Sequence, residues 1–417
     1  MAQIRLGVIG YGRRIRHIAK LVREIDPEAQ IVAITDILPE AVKAVLPDYG
    51  LDPEKIQLFA DPDVMLDNVA LDGVLVGTRC DLHTQMAVKV MRRNLPLFLE
   101  KPVATSMADL IQLREAGAAY RSQAVVSFPL RVSSLVQTVK EIVESGKIGR
   151  IDHVQAVNNV PYGAVYFQEW YRDQDVTQGL FLQKATHDFD YINYLLGDMP
   201  TWVSAMTAKQ IFGGDHRAGL HCRDCSEKTT CLQSPFNPNT HLEPDWIDPA
   251  SRMCAFAVDT GNEDSGSALI QYESGMHVSY SQNFVTRGKA ARRGATLIGY
   301  LGTLEFDWYS DVIKVYMHHS TRMETIQMQS AGNAHGGGDT VLAANFVKVI
   351  RDEALSVAPL NTGLLSALMC LKAKESAETR TFQEIAFPST GPGVAVEPRR
   401  AVATPAVVRR STPPVRR

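Results

Sequence analysis

The first 130 residues alternate short apolar strand patterns with amphipathic helical patterns, and this alternation constrains the fold more than any other feature. The strand candidates are IRLGVI (4–9), QIVAITD (30–36), LDGVLVGT (71–78), LPLFLEKP (95–102) and QAVVSFPLR (123–131). Strands that alternate with helices of this length indicate a parallel sheet with right-handed crossovers. The sequence therefore predicts an α/β chain that begins with a doubly wound nucleotide-binding sheet, the Rossmann arrangement.

The pattern changes after about residue 150, where longer strand candidates with alternating apolar positions follow one another, separated by glycine-containing turns. A run of such strands predicts a second α/β domain built on a large, mostly antiparallel open sheet. We expect a Rossmann domain over 1–130 and a substrate-binding and oligomerisation domain over 131–390. The remaining residues, 391–417, are rich in arginine and proline and read as a disordered basic tail.

The overall composition excludes several classes of function. A chain of 417 residues with 45% hydrophobic residues and a formal charge of −3 has no global attraction to nucleic acid. Its apolar runs are shorter than a membrane span requires, and the first residues enter a strand pattern instead of a signal peptide. Six unevenly spaced cysteines suit a reducing compartment. We therefore expect a cytoplasmic protein with no nucleic-acid or membrane partner.

A glycine loop follows the first strand. The segment GYGRRI contains Gly10, Tyr11 and Gly12 in the first part of a G-x-G-x-x-G pattern, but Ile15 stands where a third small residue is usual. The preceding strand and following helix strengthen this partial match. Glycines in such a loop let the backbone approach a pyrophosphate at a helix N-terminus. The loop therefore predicts a bound dinucleotide.

The acidic residue at the end of the second strand predicts which dinucleotide is preferred. Asp36 is suited to accept hydrogen bonds from adenosine ribose hydroxyls and to repel a 2′-phosphate, which favours NAD over NADP. Arg13 and Arg14 leave the opposite preference open, because a guanidinium near the loop can pair with a 2′-phosphate.

The segment QKATHDFD, residues 183–190, places three chemically active side chains close together. On a helix, Lys184, His187 and Asp188 stand at i, i+3 and i+4 and share one face. The apolar continuation YINYLL indicates that this helix packs against the protein. We therefore expect the three side chains to converge on one site.

The strand LFLEKPVATS (97–106), which ends in Glu-Lys-Pro, resembles the Gfo/Idh/MocA family of NAD(P)-dependent sugar and inositol oxidoreductases. The segments GTRCDLHTQMAVKVM (77–91), ESGKIGRI (144–151) and THDFDYINYLLG (186–197) agree with this resemblance. It implies a Rossmann domain followed by an α/β domain whose open sheet packs into a homodimer or homotetramer.

The resemblance also assigns roles to single residues. It implies that Thr78, His83, Glu100 and Lys101 line the nicotinamide end of the cofactor, and that Lys101 and His187 face the substrate. Many family members have an aspartate four residues before the histidine, and this chain has Gln183 there. A neutral amide takes no proton. Lys184 or Asp188 is therefore a candidate for the proton relay, although either also suits an ordinary ion pair.

The leading functional hypothesis is an NAD-dependent dehydrogenase acting on a ring hydroxyl of a sugar, glycoside or cyclitol. Oxidation of an alcohol requires a cation beside the developing alkoxide and an acceptor for the proton, roles that suit Lys101 and His187 respectively. Some relatives of this fold instead hydrolyse glycosides while keeping NAD bound. The segment NAHGGGDTVLAANF (333–346), with His335 and Asp339, leaves that alternative open. A non-catalytic nucleotide sensor is the third hypothesis, but it has no need of a proton-transfer pair.

The substrate itself is not readable from the sequence. Arg131, Tyr162 and Tyr166, with Asp188 and His335, are candidates for the pocket wall. Arg131 suits either an anionic substrate group or a structural ion pair.

A cysteine-rich segment in the second half of the chain predicts a structural zinc site. The candidate ligands are Cys222, Cys225, Cys231 and Cys254, with His221 and His241 as alternatives for the fourth position. Cys222 and Cys225 form a C-x-x-C pair, and four thiolates complete a tetrahedral zinc site. A disulfide between two of these cysteines is the other interpretation.

Overall fold

The computed structural model describes residues 2–240, 247–329 and 334–388. The candidate ligand His241 and the arginine-rich segment 391–417 lie outside the described residues. Residues up to 386 form one compact unit, which contains both sheets described below.

The N-terminal sheet has six parallel strands in the order β3-β2-β1-β4-β5-β6. They are β1 (Ile4–Ile9), β2 (Ala29–Thr35), β3 (Gln57–Phe59), β4 (Gly73–Val76), β5 (Leu97–Leu99) and β6 (Ala124–Val126). β4, β5 and β6 consist entirely of buried residues, as expected for a sheet covered on both faces. The predicted doubly wound parallel sheet is confirmed, although the short strand β3 was not predicted.

In chain order, the α-helices are first those that connect and cover these strands and then those of the second half of the chain. They are α1 (Arg13–Ile25), α2 (Pro39–Val45), α3 (Pro62–Asn68), α4 (His83–Arg92), α5 (Met107–Ala119), α6 (Ser134–Glu144), α7 (Ala164–Gln168), α8 (Gln174–Thr177), α9 (Thr186–Leu196), α10 (Gly338–Ile350) and α11 (Leu360–Thr379).

The second sheet has nine strands in the order β14-β13-β12-β11-β7-β10-β9-β8-β15. They are β7 (Ile151–Asn159), β8 (Pro200–Ala208), β9 (Ser265–Tyr272), β10 (His277–Asn283), β11 (Arg292–Gly299), β12 (Gly302–Asp307), β13 (Val312–Met317), β14 (Met323–Gln327) and β15 (Gln383–Glu384). β7 and β10 are parallel and the remaining pairs are antiparallel. This agrees with the predicted large, mostly antiparallel sheet, to which the structure adds the edge strands β14 and β15.

One face of the nine-stranded sheet is covered, and the described residues leave the other face open. Residues alternate strictly between buried and exposed along β9. Helix α11 packs against β8 and α9 on the covered side. Exposed apolar side chains on the open face include Trp202 and Met206 on β8 and Leu269 on β9.

Helix α10 belongs to the second half of the chain but packs on the N-terminal sheet. The ring of Phe346 meets that of Phe98 on β5 edge to face, with centroids 5.7 Å apart. A side chain at Gly73 would lie 2.7 Å from the tip of Ile350, so β4 needs a glycine there. This packing brings the first turn of α10 to the glycine loop.

The predicted absence of a membrane span was tested on the helices. No helix formed by the described residues is long and apolar enough to cross a membrane.

Candidate active site

The glycine loop connects β1 to α1, and its backbone has no room for side chains at the first glycine. Gly10 has a φ of +79°, and a Cβ there would lie 2.8 Å from the backbone of Thr78. Gly12 is the residue that precedes α1, and its side-chain position is nearly open. This cradle of glycine backbone at a helix N-terminus fits the pyrophosphate of a dinucleotide.

The structure explains why Ile15 can replace the usual third small residue. That residue normally allows the helix to pack closely on the sheet. In this chain the small residue lies at the end of the strand instead of on the helix. A Cβ on Gly77 would lie only 2.6 Å from Cβ of Ile15. Ile15 is fully buried against this glycine. Gly77, just after β4, therefore supplies the close approach.

Asp36 lies beside the glycine loop, as predicted. Its carboxylate accepts hydrogen bonds from the backbone N–H of Tyr11 at 2.8 Å and of Leu38 at 3.0 Å. Burial raises the pKa of Tyr11 to about 12, so its hydroxyl stays neutral. Asp36 remains partly exposed, which suits a carboxylate that accepts hydrogen bonds from ribose hydroxyls.

Arg14 does not have the free guanidinium that a 2′-phosphate would require. It donates to Glu100 at 3.0 Å, to both oxygens of Asp339 at 2.6 and 2.7 Å, and to Ser127 at 3.1 Å. The proposed pairing of Arg14 with a 2′-phosphate is therefore not supported, because two carboxylates already satisfy the charge. Burial lowers the pKa of Arg13, and the charges of nearby Tyr171 and Glu169 offset this only in part.

His83 supports the backbone of the site. The ring is 2% exposed, with Nδ1 2.7 Å from the carbonyl oxygen of Pro102 and Nε2 3.2 Å from that of Thr78. Burial lowers the pKa of His83, so the ring is neutral. His83 thus holds the chain around Lys101 and Thr78 instead of presenting a free ring nitrogen to the cleft.

Lys101 follows β5 at the carboxyl end of the N-terminal sheet, where ligands bind in such folds. Its Nζ donates a hydrogen bond of 3.0 Å to the carbonyl oxygen of Gln183. Burial lowers the pKa of Lys101 to about 8. The lysine is therefore mostly charged near neutral pH and is anchored to the chain that leads to His187.

The predicted helix over 183–190 begins differently in the structure. Residues Phe181–Ala185 form one π-helical turn, and α9 starts only at Thr186. Such turns are frequent at functional sites because they redirect side chains. Lys184 and His187 therefore do not share the regular i, i+3 face that the sequence predicted.

His187 lies in the first turn of α9, packed edge to face against Phe128 with ring centroids 5.9 Å apart. Its Nδ1 is buried and has no hydrogen-bond partner among the described residues. Burial and the positive charges of Lys101 and Arg293 lower the pKa of His187 well below its usual value. His187 is therefore a neutral ring with an unused nitrogen, which fits contact with a ligand.

Asp188 was a candidate substrate and relay residue, and the structure corrects this. The side chain is fully buried and accepts hydrogen bonds of 2.8 Å from Arg293, 2.7 Å from Asn158 and 2.8 Å from Tyr280. A carboxylate with these partners has no face for substrate. Asp188 instead anchors α9 to β7, β10 and β11.

Arg131 also proves to be structural. Its guanidinium makes a two-pronged ion pair with Asp190 at 2.9 and 2.8 Å and is 6% exposed. The prediction that it binds an anionic substrate group is therefore not supported, and the alternative interpretation is the observed one. Tyr166 likewise packs in an aromatic cluster with Tyr171 and Phe284.

Lys184 and Tyr162 come together as a pair. Lys184 is 5% exposed, and its Nζ donates a hydrogen bond of 2.6 Å to the hydroxyl of Tyr162. Tyr162 follows β7 and is partly exposed. Both residues were predicted site residues, but the contact between them was not.

The segment of the glycosidase alternative is only partly described, since residues 330–333 lie outside the described residues. His335 lies 6.3 Å from His187 between ring centroids, so it is close to the site. Asp339 is 1% exposed, and its carboxylate is hydrogen-bonded to Arg14 and to Nδ1 of His335, the latter at 2.9 Å. It therefore does not face a sugar hydroxyl as that alternative required.

The sequence reasoning missed several residues of the site. Arg293 on β11 carries no motif, and only its burial beside Asp188 identifies it. The guanidinium of Arg79 lies 3.6 Å from the ring centroid of Trp170, and Trp170 stacks on Tyr171. The EWYR segment that contains both aromatics was the available sequence signal.

The predicted zinc site is not supported. Cys222, Cys225, Cys231 and Cys254 are free thiols that line one small cavity. No group of three His, Cys, Asp or Glu side chains within 2–240, 247–329 and 334–388 is arranged to hold a metal ion.

Each of these sulfurs has another partner in the protein. Cys254 lies 3.2 Å from Nδ1 of His216, and Cys222 contacts Met253 O at 3.5 Å. Cys225 and Cys231 each accept a backbone N–H two residues further on at 3.4 Å. Burial raises the pKa of Cys222 to about 12, so this thiol is protonated. The disulfide interpretation is not observed either.

Comparison with known families agrees with this geometry. The model of an oxidoreductase family with an NAD-binding Rossmann fold matches residues 4–128, and the model of the GFO/IDH/MocA C-terminal domain matches residues 136–305. The putative oxidoreductase YteT of Bacillus subtilis is 27% identical over 78% of this chain and 83% of its own length. The inositol 2-dehydrogenase of Rhizobium meliloti is 25% identical over 49% of this chain and 58% of that enzyme.

Solved structures show the same fold. An oxidoreductase domain protein from Kribbella flavida aligns with a TM-score of 0.75 at 18% identity, over 93% of this chain and 100% of that one. A levoglucosan dehydrogenase in complex with NADH and levoglucosan aligns with a TM-score of 0.73 at 16% identity, over 92% and 99%. The glycine cradle and Asp36 fit the NAD-binding function of the matched N-terminal family. The chain therefore belongs to the Gfo/Idh/MocA family of oxidoreductases, with an NAD-binding Rossmann fold.

Proposed function

We propose that this chain is an NAD-dependent dehydrogenase that oxidises a ring hydroxyl of a sugar, glycoside or cyclitol. The observation that carries the proposal is the 3.0 Å hydrogen bond from Lys101 Nζ to the carbonyl of Gln183. It anchors the cation that follows β5 to the turn before His187. The two residues expected to face the substrate are thereby held on one site.

The chemistry of the site suits alcohol oxidation. NAD, when bound, supplies the acceptor for the hydride. Lys101, with a pKa of about 8, is charged at neutral pH and stabilises negative charge that develops on the substrate oxygen. His187 is neutral and orients the hydroxyl through a ring nitrogen.

The substrate class rests on the relatives. The curated proteins that match include several inositol 2-dehydrogenases, each over about half of this chain. A small ring with several hydroxyls suits the neighbouring side chains of Lys101, His187, Lys184 and Tyr162, which donate and accept hydrogen bonds. Preference for NAD over NADP is part of the proposal, supported by the partly exposed carboxylate of Asp36.

The test is an activity panel with a lysine variant. Sugars, sugar acids, inositols and aryl glycosides are offered with NAD, and both NADH absorbance and free sugar are measured. Lys101→Ala should lose at least about 100-fold in turnover but bind NADH within about threefold of the unaltered protein. The exposed Lys55→Ala serves as the control. Near-normal turnover of Lys101→Ala would refute the assignment, and sugar release without NADH would point to the glycosidase.

We further propose that the protein works as a homodimer or homotetramer in the cytoplasm. The open face of the nine-stranded sheet supports the assembly, because it exposes Trp202, Met206 and Leu269 together with many small polar residues. A second copy packed on this face would cover them.

A further inference from the structure

The proposed dehydrogenase needs a group that takes the proton of the substrate hydroxyl, and two obvious residues are unsuited. Gln183 is a neutral amide held by Thr177 O at 3.0 Å, so it accepts no proton. His187 is surrounded by Lys101, Lys184 and Arg293, which disfavour a further positive charge on its ring. His187 therefore orients a hydroxyl better than it stores a proton.

Tyr162 is differently placed. Its hydroxyl receives the 2.6 Å hydrogen bond of Lys184 Nζ, and the lysine also lies 4.7 Å from the centroid of the tyrosine ring. Burial lowers the pKa of Lys184, whereas its hydrogen bond to Tyr162 and the charge of that tyrosine raise it. While it is charged, the buried lysine acts on Tyr162 with little screening by water. A cation held this way stabilises a phenolate on its partner.

We propose that Tyr162 is the proton acceptor of the reaction and that Lys184 is its positioning residue. This inference rests on the proposed function. In the step, the substrate O–H proton passes to the phenolate oxygen of Tyr162. The C–H bond breaks, its electron pair leaves as hydride to NAD⁺, and the C–O bond becomes a carbonyl. The products are a ketone, NADH and neutral Tyr162.

The backbone beside Tyr162 is rigid, as a proton acceptor requires. The next residue, Gly163, lies so close to Phe284 that a Cβ there would be 2.0 Å from the carbonyl oxygen of Phe284. Only glycine allows this approach. The tyrosine is therefore held between the end of β7 and the chain that follows β10.

The charged surroundings single out Tyr162 among the tyrosines nearby. The charged and titratable groups that act on it are Lys184, Arg293 and Asp188, and a charge on Tyr162 in turn acts on Tyr166 and Tyr309. Burial alone would raise the pKa of Tyr162, but the charges of Lys184 and Arg293 lower it below the ordinary value. Burial raises the pKa of both neighbouring tyrosines.

The first experiment needs no substrate. The near-ultraviolet absorbance of tyrosinate is followed as the whole protein is titrated. We expect one tyrosine to ionise at lower pH than the others. This early titration should be absent from Tyr162→Phe and should move up by at least about one pH unit in Lys184→Met. Tyr300→Phe, at an exposed turn, should leave this early titration unchanged.

The second experiment measures rates on the best substrate of the panel. Tyr162→Phe should lower kcat by at least about 100-fold and remove the limb of the pH profile that rises with deprotonation. Lys184→Met should move that limb to higher pH. Lys184→Arg should bring the limb part of the way back to its original pH. A merely structural pair would change stability and KM but not the position of the limb.

The possible results separate the two proposals. No early tyrosine titration, or a pH limb that persists in Tyr162→Phe, overturns the role of Tyr162. If Tyr162→Phe does not fold, the shift in Lys184→Met decides alone. If the early tyrosine titration is present but the protein oxidises no alcohol of the panel, the proposed function is overturned, and the catalytic role of Tyr162 with it.

Discussion

Arg14 and Asp339 are 325 residues apart in the sequence and form an ion pair through two hydrogen bonds of 2.7 and 2.6 Å. Arg14 lies in the first turn of α1 beside the glycine loop, and Asp339 lies in the first turn of α10. The pair thus joins the cofactor loop to the C-terminal part of the chain.

Asp339→Asn should lower the free energy of unfolding by about 2–3 kcal/mol, since it weakens two charge-assisted hydrogen bonds from the partly buried guanidinium of Arg14. Burial by itself would raise the pKa of Asp339, but hydrogen bonds with Arg14 and His335 hold it far below its usual range. Its stabilisation is therefore present above about pH 4 and lost as the pH falls. Urea unfolding at several pH values measures both effects. Asp152→Asn, on the exposed side of β7, should change neither.

Gly77→Ala should destabilise the protein by about 1–3 kcal/mol, because the new Cβ would meet Ile15 at 2.6 Å. Ile15→Ala alone should cost about 2–5 kcal/mol through a cavity. The double variant should lose at least about 1 kcal/mol less than the sum, since each change relieves the other. Urea unfolding of all four proteins closes the cycle, and strictly additive losses would refute the contact as the reason for Ile15.

Asp36→Ala should narrow the preference for NAD over NADP by at least about tenfold in kcat/KM, because it removes a carboxylate that repels a 2′-phosphate. The loss of its hydrogen bond to Tyr11 N–H should also weaken NAD binding. Initial rates with each cofactor measure the first effect, and cofactor titrations followed by fluorescence measure the second. An unaltered protein that prefers NADP would contradict this prediction and point to Arg13.

Lys101 sets the alkaline limit of the reaction. With a pKa of about 8, it loses its charge as the pH rises through that value, and kcat/KM should fall with it. Lys101→Arg keeps a charge to above about pH 10, so the fall should move to higher pH even if the rate is lower. Initial rates between about pH 6 and 10 test this, and overlapping profiles for the two proteins would rule it out.

The open sheet face predicts the behaviour of surface variants. The double variant Met206→Asp and Leu269→Asp should be monomeric in light scattering at micromolar concentration, because charges on the apolar strip oppose packing of two copies. Leu355→Asp, exposed away from the sheet, should keep the assembly. A monomeric unaltered protein would refute the oligomer itself.

The sequence alone determined the two kinds of sheet, the glycine loop with Asp36, and the order of strands and helices apart from β3, β14 and β15. These features depend on local periodicity, turn residues and the length of connections, which a linear pattern contains. The family resemblance named Lys101 and His187 as candidates, and Lys101 contacts Gln183, four residues before His187.

Only the tertiary structure decided which charged side chains are free for chemistry. Arg131 is taken by Asp190, Asp188 by Arg293 and Arg14 by Asp339, partners 59, 105 and 325 residues away. Lys184, in contrast, donates its hydrogen bond to the hydroxyl of Tyr162. A buried charge must find a partner, but the partner is chosen by the packing of distant elements, and no local pattern encodes it.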